Sequence, residues 1–362
     1  MPLPRIDPTQ YASQLAAKVA CYRDDFAPFD LPEPEVFESA PLHYRLRAEF
    51  RLWHQAGAVH YAMFDPADPK KPILLDDFPA AAEPICAAMP RLRAALDTSE
   101  VLRRKVFQVE FLATLSGQLM ITLVYHRPLD AAWDAAAHAL AADLDAQVLG
   151  RSRGQKRVLE RDWLLERFEL DGRELCYQQI EGSFTQPNGG INRRMLGWAR
   201  HQAVGTGGDL LELYCGNGNF TIALAPLFDK VLATEVSKSS VRAAEYNLDA
   251  NGVDNVAMVR MSSDEISDAL SGGRAYRRMK DIALDDYRFS TLFVDPPRAG
   301  LDAATLALAT RFERILYISC NPETLRTNVA ALHASHRIAA AAAFDQFPYT
   351  HHLECGLLLV KR

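Results

Sequence analysis

Between Tyr44 and Trp53 apolar and polar residues alternate, so a strand puts Leu46, Ala48, Phe50 and Leu52 on one face. Arg45, Arg47, Glu49, Arg51 and Trp53 fall on the other, a cationic ribbon ending in an aromatic. Apolar-rich runs at 106–114 and 118–126, separated by Leu115-Ser116-Gly117, predict a β-hairpin. Helical spacing appears around residues 8–24, 80–96 and 130–147. The first half therefore reads as α+β with an antiparallel sheet. From Gln186 onward, continuous apolar runs (209–213, 230–235, 291–294 and 316–319) alternate with helical segments, which predicts a parallel, doubly wound sheet. At 362 residues the chain can hold two domains, 1–180 and 181–362, each with its own core. There is no internal repeat; the basic stretch 271–280 reads as a loop or insertion, and Ala339 to Ala343 as packing.

The chemistry begins where the apolar runs stop. The run 209–213 leads into Tyr214-Cys215-Gly216-Asn217-Gly218-Asn219, and Phe220-Thr221 opens a helix, which is the pattern of a strand–turn–helix nucleotide site. A dinucleotide fingerprint needs a third glycine where Thr221 stands, so no pyrophosphate is implied. The next strand ends in Glu235, about twenty residues beyond the first glycine, where a carboxylate can accept from two ribose hydroxyls. A third ends in Asp295-Pro296-Pro297-Arg298. Acids at two strand ends flanking a glycine turn resemble the S-adenosylmethionine fold of the class I, Rossmann-like methyltransferases. Singly, the Gly-x-Gly is an ordinary turn and Glu235 a helix-capping acid; three strand ends in the expected order argue against coincidence.

The run Leu316-Tyr317-Ile318-Ser319 stops at Cys320-Asn321-Pro322, and the closing segment His351-His352-Leu353-Glu354-Cys355-Gly356 carries an acid. A thiol at a strand end is placed to attack and a carboxylate in a second such segment to take a proton, a pairing that points to covalent catalysis. The plainer alternatives are a buried small hydrophobe for Cys320 and a satisfied core acid for Glu354. No metal is expected at His351, His352, Glu354 and Cys355, because neighbours on an extended chain point to opposite faces. The six cysteines are scattered without C-x-x-C spacing, so neither zinc nor an iron-sulfur cluster is expected, and free thiols fit a reducing cytoplasm. No apolar signal core opens the chain and no run is long enough for a bilayer, so a soluble, cytoplasmic protein is expected. The net charge of -6 argues mildly against a nucleic-acid partner, but binding follows the local field, and the half before residue 180 carries the cationic ribbon and the loop Arg151 to Arg157. Such a face can track phosphates and stack an unpaired base; the alternative is a solvated edge strand protected by charge.

Five motifs, Phe184-Thr185-Gln186-Pro187-Asn188, Glu212 to Phe220, Asp295-Pro296-Pro297-Arg298, Ser319-Cys320-Asn321-Pro322 and Phe347 to Gly356, resemble those of the RNA uracil-5-methyltransferases. Within that family the likeness is to the bacterial tRNA branch that forms ribothymidine in the T-loop. It implies that Gln186, Tyr214, Asn219, Glu235 and Asp295 contact S-adenosylmethionine, that Cys320 is the nucleophile and Glu354 the base. It also implies that Arg51, Phe107, His126 and Arg298 hold or reshape the RNA loop. The implied partner is the T-arm of tRNA, with tmRNA as a further substrate and the protein acting as a monomer. Ribosomal-RNA relatives usually carry a cysteine cluster and often an added β-barrel; neither pattern is visible. A cytosine-5 enzyme, a ribosomal-RNA enzyme and an RNA-folding factor whose methylation is secondary remain alternatives, whereas Arg298 where an aromatic would stand argues against an amino-group methyltransferase. Attack by Cys320 requires an ionised thiol, which predicts an electropositive setting with Arg298 as a contributor.

Overall fold

The computed structural model describes residues 6–65 and 68–362, which form two compact units. Ala40–Arg167 and Gln179–Gly189 make up the bulk of the first. Its seven-stranded sheet runs in the order Asp68–Leu75, Ala58–Asp65, Arg47–Gln55, Val106–Ala113, Leu119–Tyr125, Gln147–Ser152, Gln155–Val158. The predicted hairpin and ribbon strand lie at its centre. The sheet is not wholly antiparallel: Leu119–Tyr125 pairs parallel with Gln147–Ser152, because the helix Ala131–Leu144 carries the chain back between them. That helix and Glu83–Thr98 supply Trp133, Ala137, Leu140, Ile85, Met89 and Leu92 to one core with Phe50, Val109 and Phe111 of the sheet.

The cationic ribbon is more occupied than alternation suggested. Arg45 folds back onto the Arg47 carbonyl (2.8 Å), and Arg47 donates to the Ser183 carbonyl (2.9 Å) beside Glu110. Arg51 stays exposed.

The second unit comprises Thr9–Ser39, Phe168–Gln178 and Gly190–Arg362. Its eight strands run Glu35–Phe37, His336–Phe344, Glu354–Lys361, Arg314–Ser319, Phe289–Val294, Asp209–Leu213, Val231–Thr234, Val256–Val259. All neighbours are parallel except Glu354–Lys361, which is antiparallel to both of its partners. The reason is length: a parallel return needs a crossover of roughly a dozen residues or more, and the segment 345–353 is too short to provide one. Leu210, Leu211, Leu213, Val231, Leu232, Leu292, Ile315 and Ile318 are completely buried, as strands covered on both faces must be. This is the doubly wound sheet expected from residue 186 onward.

The division is not a single cut near residue 180. The first helix, observed at Tyr11–Phe26, belongs to the second unit, as does the tip of an unpredicted hairpin, Trp163–Leu170 and Arg173–Ile180. Among the described residues no helix is long and apolar enough to cross a membrane.

Candidate active site

The glycine turn is built by backbone conformation. Tyr214, Gly216 and Gly218 have φ of 60°, 57° and 82°, and a Cβ on Gly216 would meet nothing within 4 Å, so this glycine is there for its dihedral rather than for room. Tyr214 holds a left-handed conformation without being glycine, which costs about 1–3 kcal/mol and is typical of functional turns. Glu235 braces the turn: one carboxylate oxygen accepts the Gly216 N–H (3.1 Å), the other the Ser237 N–H (2.7 Å). The following helix, Lys238–Ala250, is capped by the Ser237 hydroxyl, so Glu235 is not its capping acid. Each Glu235 oxygen retains a lone pair with which it can accept a ribose hydroxyl. This donor set, on an open turn, fits a nucleoside methyl donor.

Two residues missed in the sequence hold the turn. Asn247, completely buried, donates to the Asn217 carbonyl (2.9 Å) and accepts the Gln178 N–H (2.6 Å). Asn192 pairs its amide reciprocally with Asn219 (3.0 and 2.8 Å), leaving Asn219 one amide hydrogen for a ligand. The only signal for Asn247 was a polar residue on the buried stripe that also holds Ala243, Ala244 and Leu248.

The second half of the site is a row of strand ends. Val294 pairs with Tyr317, and Ser319 pairs with Cys355, so Asp295, Cys320 and Glu354 end three adjacent strands on one edge of the sheet. Cys320 is thus level with Glu354 and Asp295 with Ile318, on the strands to either side, and both acids act on the charge of the thiol. The bend after Cys320 is fixed locally: Ser319 Oγ accepts the Asn321 N–H (3.2 Å), and Asn321 caps the helix Pro322–Leu332. Asn321 Nδ2 and Thr324 Oγ1 both donate to the Arg298 carbonyl (3.0 and 3.1 Å), tying the Asp295-Pro296-Pro297-Arg298 turn to the turn after Cys320.

The electrostatics differ from expectation. Burial, then the charges of Glu354 and Asp295, push the Cys320 thiol up to about 11, and Arg298 only partly opposes them. Burial and Asp295 push the Glu354 carboxyl well above the usual range, against Arg298; burial also raises Asp295. The setting of the thiol is therefore electronegative, because its neighbours on both sides are acids. His351 and His352 also depart from the extended-chain argument: the chain bends there and their rings lie 4.0 Å apart. Among the described residues no group of three or more His, Cys, Asp or Glu is arranged to hold a metal.

Arg51, Phe107 and His126 come together on the first unit. The Phe107 and His126 rings stack with centroids 3.8 Å apart and planes 7° from parallel, and the Arg51 guanidinium lies 5.4 Å from the Phe107 ring centre while donating to Gln108 (2.9 Å). Gln186 also belongs to this unit, in the segment held by the Leu46 N–H to Pro187 carbonyl bond (2.7 Å). Arg298 is exposed beside the turn after Cys320.

A curated tRNA/tmRNA (uracil-C(5))-methyltransferase of Azoarcus sp. (strain BH72) is 74% identical, covering 100% of this chain and 99% of its own. One of the same description from Dechloromonas aromatica (strain RCB) is 66% identical over the full length of both. The crystal structure of Pyrococcus abyssi tRNA (uracil-54, C5)-methyltransferase in complex with S-adenosyl-L-homocysteine superposes with a TM-score of 0.72 at 21% identity, over 97% of this chain and 83% of that one. The fold is that of an S-adenosylmethionine-dependent methyltransferase. Residues 10–362 match the family described as tRNA (Uracil-5-)-methyltransferase, and the chain belongs to that family.

Proposed function

We propose that the protein methylates C5 of a T-loop uridine in tRNA through a covalent Cys320–C6 adduct, forming 5-methyluridine. The observation that carries this reading is the row Asp295, Cys320, Glu354 on adjacent strand ends. The relatives named for tRNA and tmRNA support an RNA substrate, and position 54 is the one named for the Pyrococcus enzyme. We assign tmRNA as a second substrate on the same ground, and a monomer working in the cytoplasm.

Uracil C5 is too weak a nucleophile to be alkylated directly. Attack of the Cys320 sulfur on C6 moves electron density to C5 as an enolate, so that C5 becomes nucleophilic. S-adenosylmethionine supplies an electrophilic methyl group and a positive charge. Because the thiol is protonated at rest, its proton must leave as the S–C6 bond forms; Asp295, which is partly exposed, takes it, so that Glu354 stays free for the later step. Glu354, only 3% exposed, is the base that removes the C5 proton once it is ionised, a state that Arg298 and the positive charge of the donor favour. The electrons of the C5–H bond re-form the C5–C6 double bond as the S–C6 bond breaks. Tyr214, Asn219, Glu235 and Asp295 of the second unit bind the donor, Glu235 through its ribose, and the family likeness assigns Gln186 of the first unit to the donor as well. The base must leave the folded loop to expose both ring carbons. On the first unit the Arg51, Phe107 and His126 cluster is a stacking surface for the opened loop; on the second, Arg298 is a further RNA contact.

The test is nucleoside mass analysis of unmodified tRNA incubated with protein and S-adenosylmethionine, alongside Glu354→Gln on a denaturing gel. We expect one new 5-methyluridine, and a trapped protein–RNA adduct in the variant that Cys320→Ala abolishes. Methylation by Cys320→Ala would end the covalent reading.

A further inference from the structure

The helix Tyr11–Phe26 buries Tyr11, Leu15, Lys18, Val19, Tyr22 and Phe26. One member of this otherwise apolar and aromatic stripe is a lysine. The Lys18 side chain is 5% exposed and its partner Asp345 1%, with Nζ donating to Asp345 Oδ1 at 2.7 Å and to the Phe347 carbonyl at 2.9 Å. Burial lowers the lysine's proton affinity, against the pull of Asp345, so the pair is held at a desolvation cost.

Several of the helix's contacts, Lys18's among them, fall on one short segment. Residues 345–353 turn the chain from strand His336–Phe344 into strand Glu354–Lys361, whose first residue is Glu354. Gln14 accepts the Tyr349 N–H (2.6 Å), and the Tyr11 ring meets the Tyr349 ring edge-on at 6.1 Å. The Tyr11 hydroxyl accepts the Ser39 N–H (2.7 Å), and the Asp345 N–H donates to the Phe37 carbonyl (3.0 Å). Tyr22 stands beside Cys355, the residue after Glu354. An apolar contact could cover this segment, but a cation bonded to both a carboxylate and a carbonyl two residues on also sets its path.

We propose that Lys18 is a positioning residue for the base: its bonds to Asp345 and the Phe347 carbonyl fix the segment that delivers Glu354 to the edge beside Cys320. This rests on the reading of Glu354 as the base that resolves the adduct. The nucleophile arrives on a different strand, Arg314–Ser319, with its own hydrogen-bonded turn. Loss of Lys18 therefore separates the two halves of the reaction, leaving adduct formation intact and slowing its decay.

The experiment follows adduct formation and decay in single turnover with unmodified tRNA and S-adenosylmethionine, quenched on denaturing gels, for wild type, Lys18→Met, Glu354→Gln and Lys18→Met with Asp345→Asn. In Lys18→Met the adduct should form at the wild-type rate and decay about tenfold to a hundredfold more slowly, the scale of an ångström-sized displacement of a reacting group. A merely structural role would slow both phases together or lower the active fraction; either result, or wild-type kinetics in both phases, overturns the proposal. If Lys18→Met does not fold because Asp345 is left as a buried unpaired charge, the double variant, which removes both charges, decides by the same criterion. Glu354→Gln separates the two failures: if it traps no adduct the base assignment is wrong, whereas a trap there without slow decay in the Lys18 variants refutes only the positioning role.

Discussion

The protonated thiol has a direct chemical test. Cys320 rises from its ordinary 9.0 to about 11, chiefly through burial and then through Glu354 and Asp295. That rise cuts the thiolate population about a hundredfold, and about one thiol in a thousand is ionised at pH 8. Iodoacetamide reacts with the thiolate, so in the ligand-free enzyme the alkylation rate of Cys320 should climb about tenfold per pH unit from pH 7 to 10 without a plateau. Peptide mass mapping reads this site separately, with exposed Cys21 as an internal reference.

Variants assign the causes. Glu354→Gln removes the larger of the two carboxylate contributions but leaves burial, the leading cause, so alkylation at pH 9 should rise by less than the full hundredfold, between about threefold and thirtyfold. Arg298→Ala removes the opposing cation and should slow alkylation. A plateau below pH 9 in the wild type, or slower alkylation in Glu354→Gln, would refute the reasoning. It would mean that the thiol is ionised at rest and needs no proton outlet through Asp295.

Two further outcomes follow from groups elsewhere in the molecule. Because the Phe107 and His126 rings stack at 3.8 Å with no gap for a base between them, RNA stacks on an outer face or parts the pair. Either alanine variant should weaken tRNA binding by about 1–3 kcal/mol, and the double variant by less than the sum, in filter-binding titrations; strict additivity would rule out a shared platform. Glu212, 1% exposed in the strand beneath the glycine turn, is pushed by burial from 4.5 up to about 8. Between those values the folded protein binds more protons than the unfolded chain, so stability falls as pH rises through the window and the penalty is complete above pH 8. Glu212→Gln should thus be more stable than wild type at pH 8.5, by up to roughly 4–5 kcal/mol, and no more stable near pH 4.5, in urea titrations. Equal stabilisation at both ends would refute this origin.

What could be read along the chain, and what could not, divides by range. Strand ends are local, so an apolar run halted at an acid, at Asp-Pro or before Asn-Pro marked Glu235, Asp295 and Cys320 without any partner in view. The charge state of the thiol was not local. It depends on Val294 pairing with Tyr317 and Ser319 with Cys355, registers that bring two acids from other strands alongside it; the adjacent Arg298 suggested the opposite sign. Nor was the reversed strand legible, since apolar alternation carries no direction; only the shortness of the segment 345–353 forbade a parallel return. The first helix shows the limit most plainly. Its period was evident, yet a lysine within a buried stripe gains meaning only from Asp345, 327 residues away in sequence. A buried cation demands a buried anion, and that demand was visible in the helix before its partner was. Polar residues on predicted apolar faces, Lys18 and Asn247 alike, were thus the unread signals, and both hold segments that carry candidate chemistry.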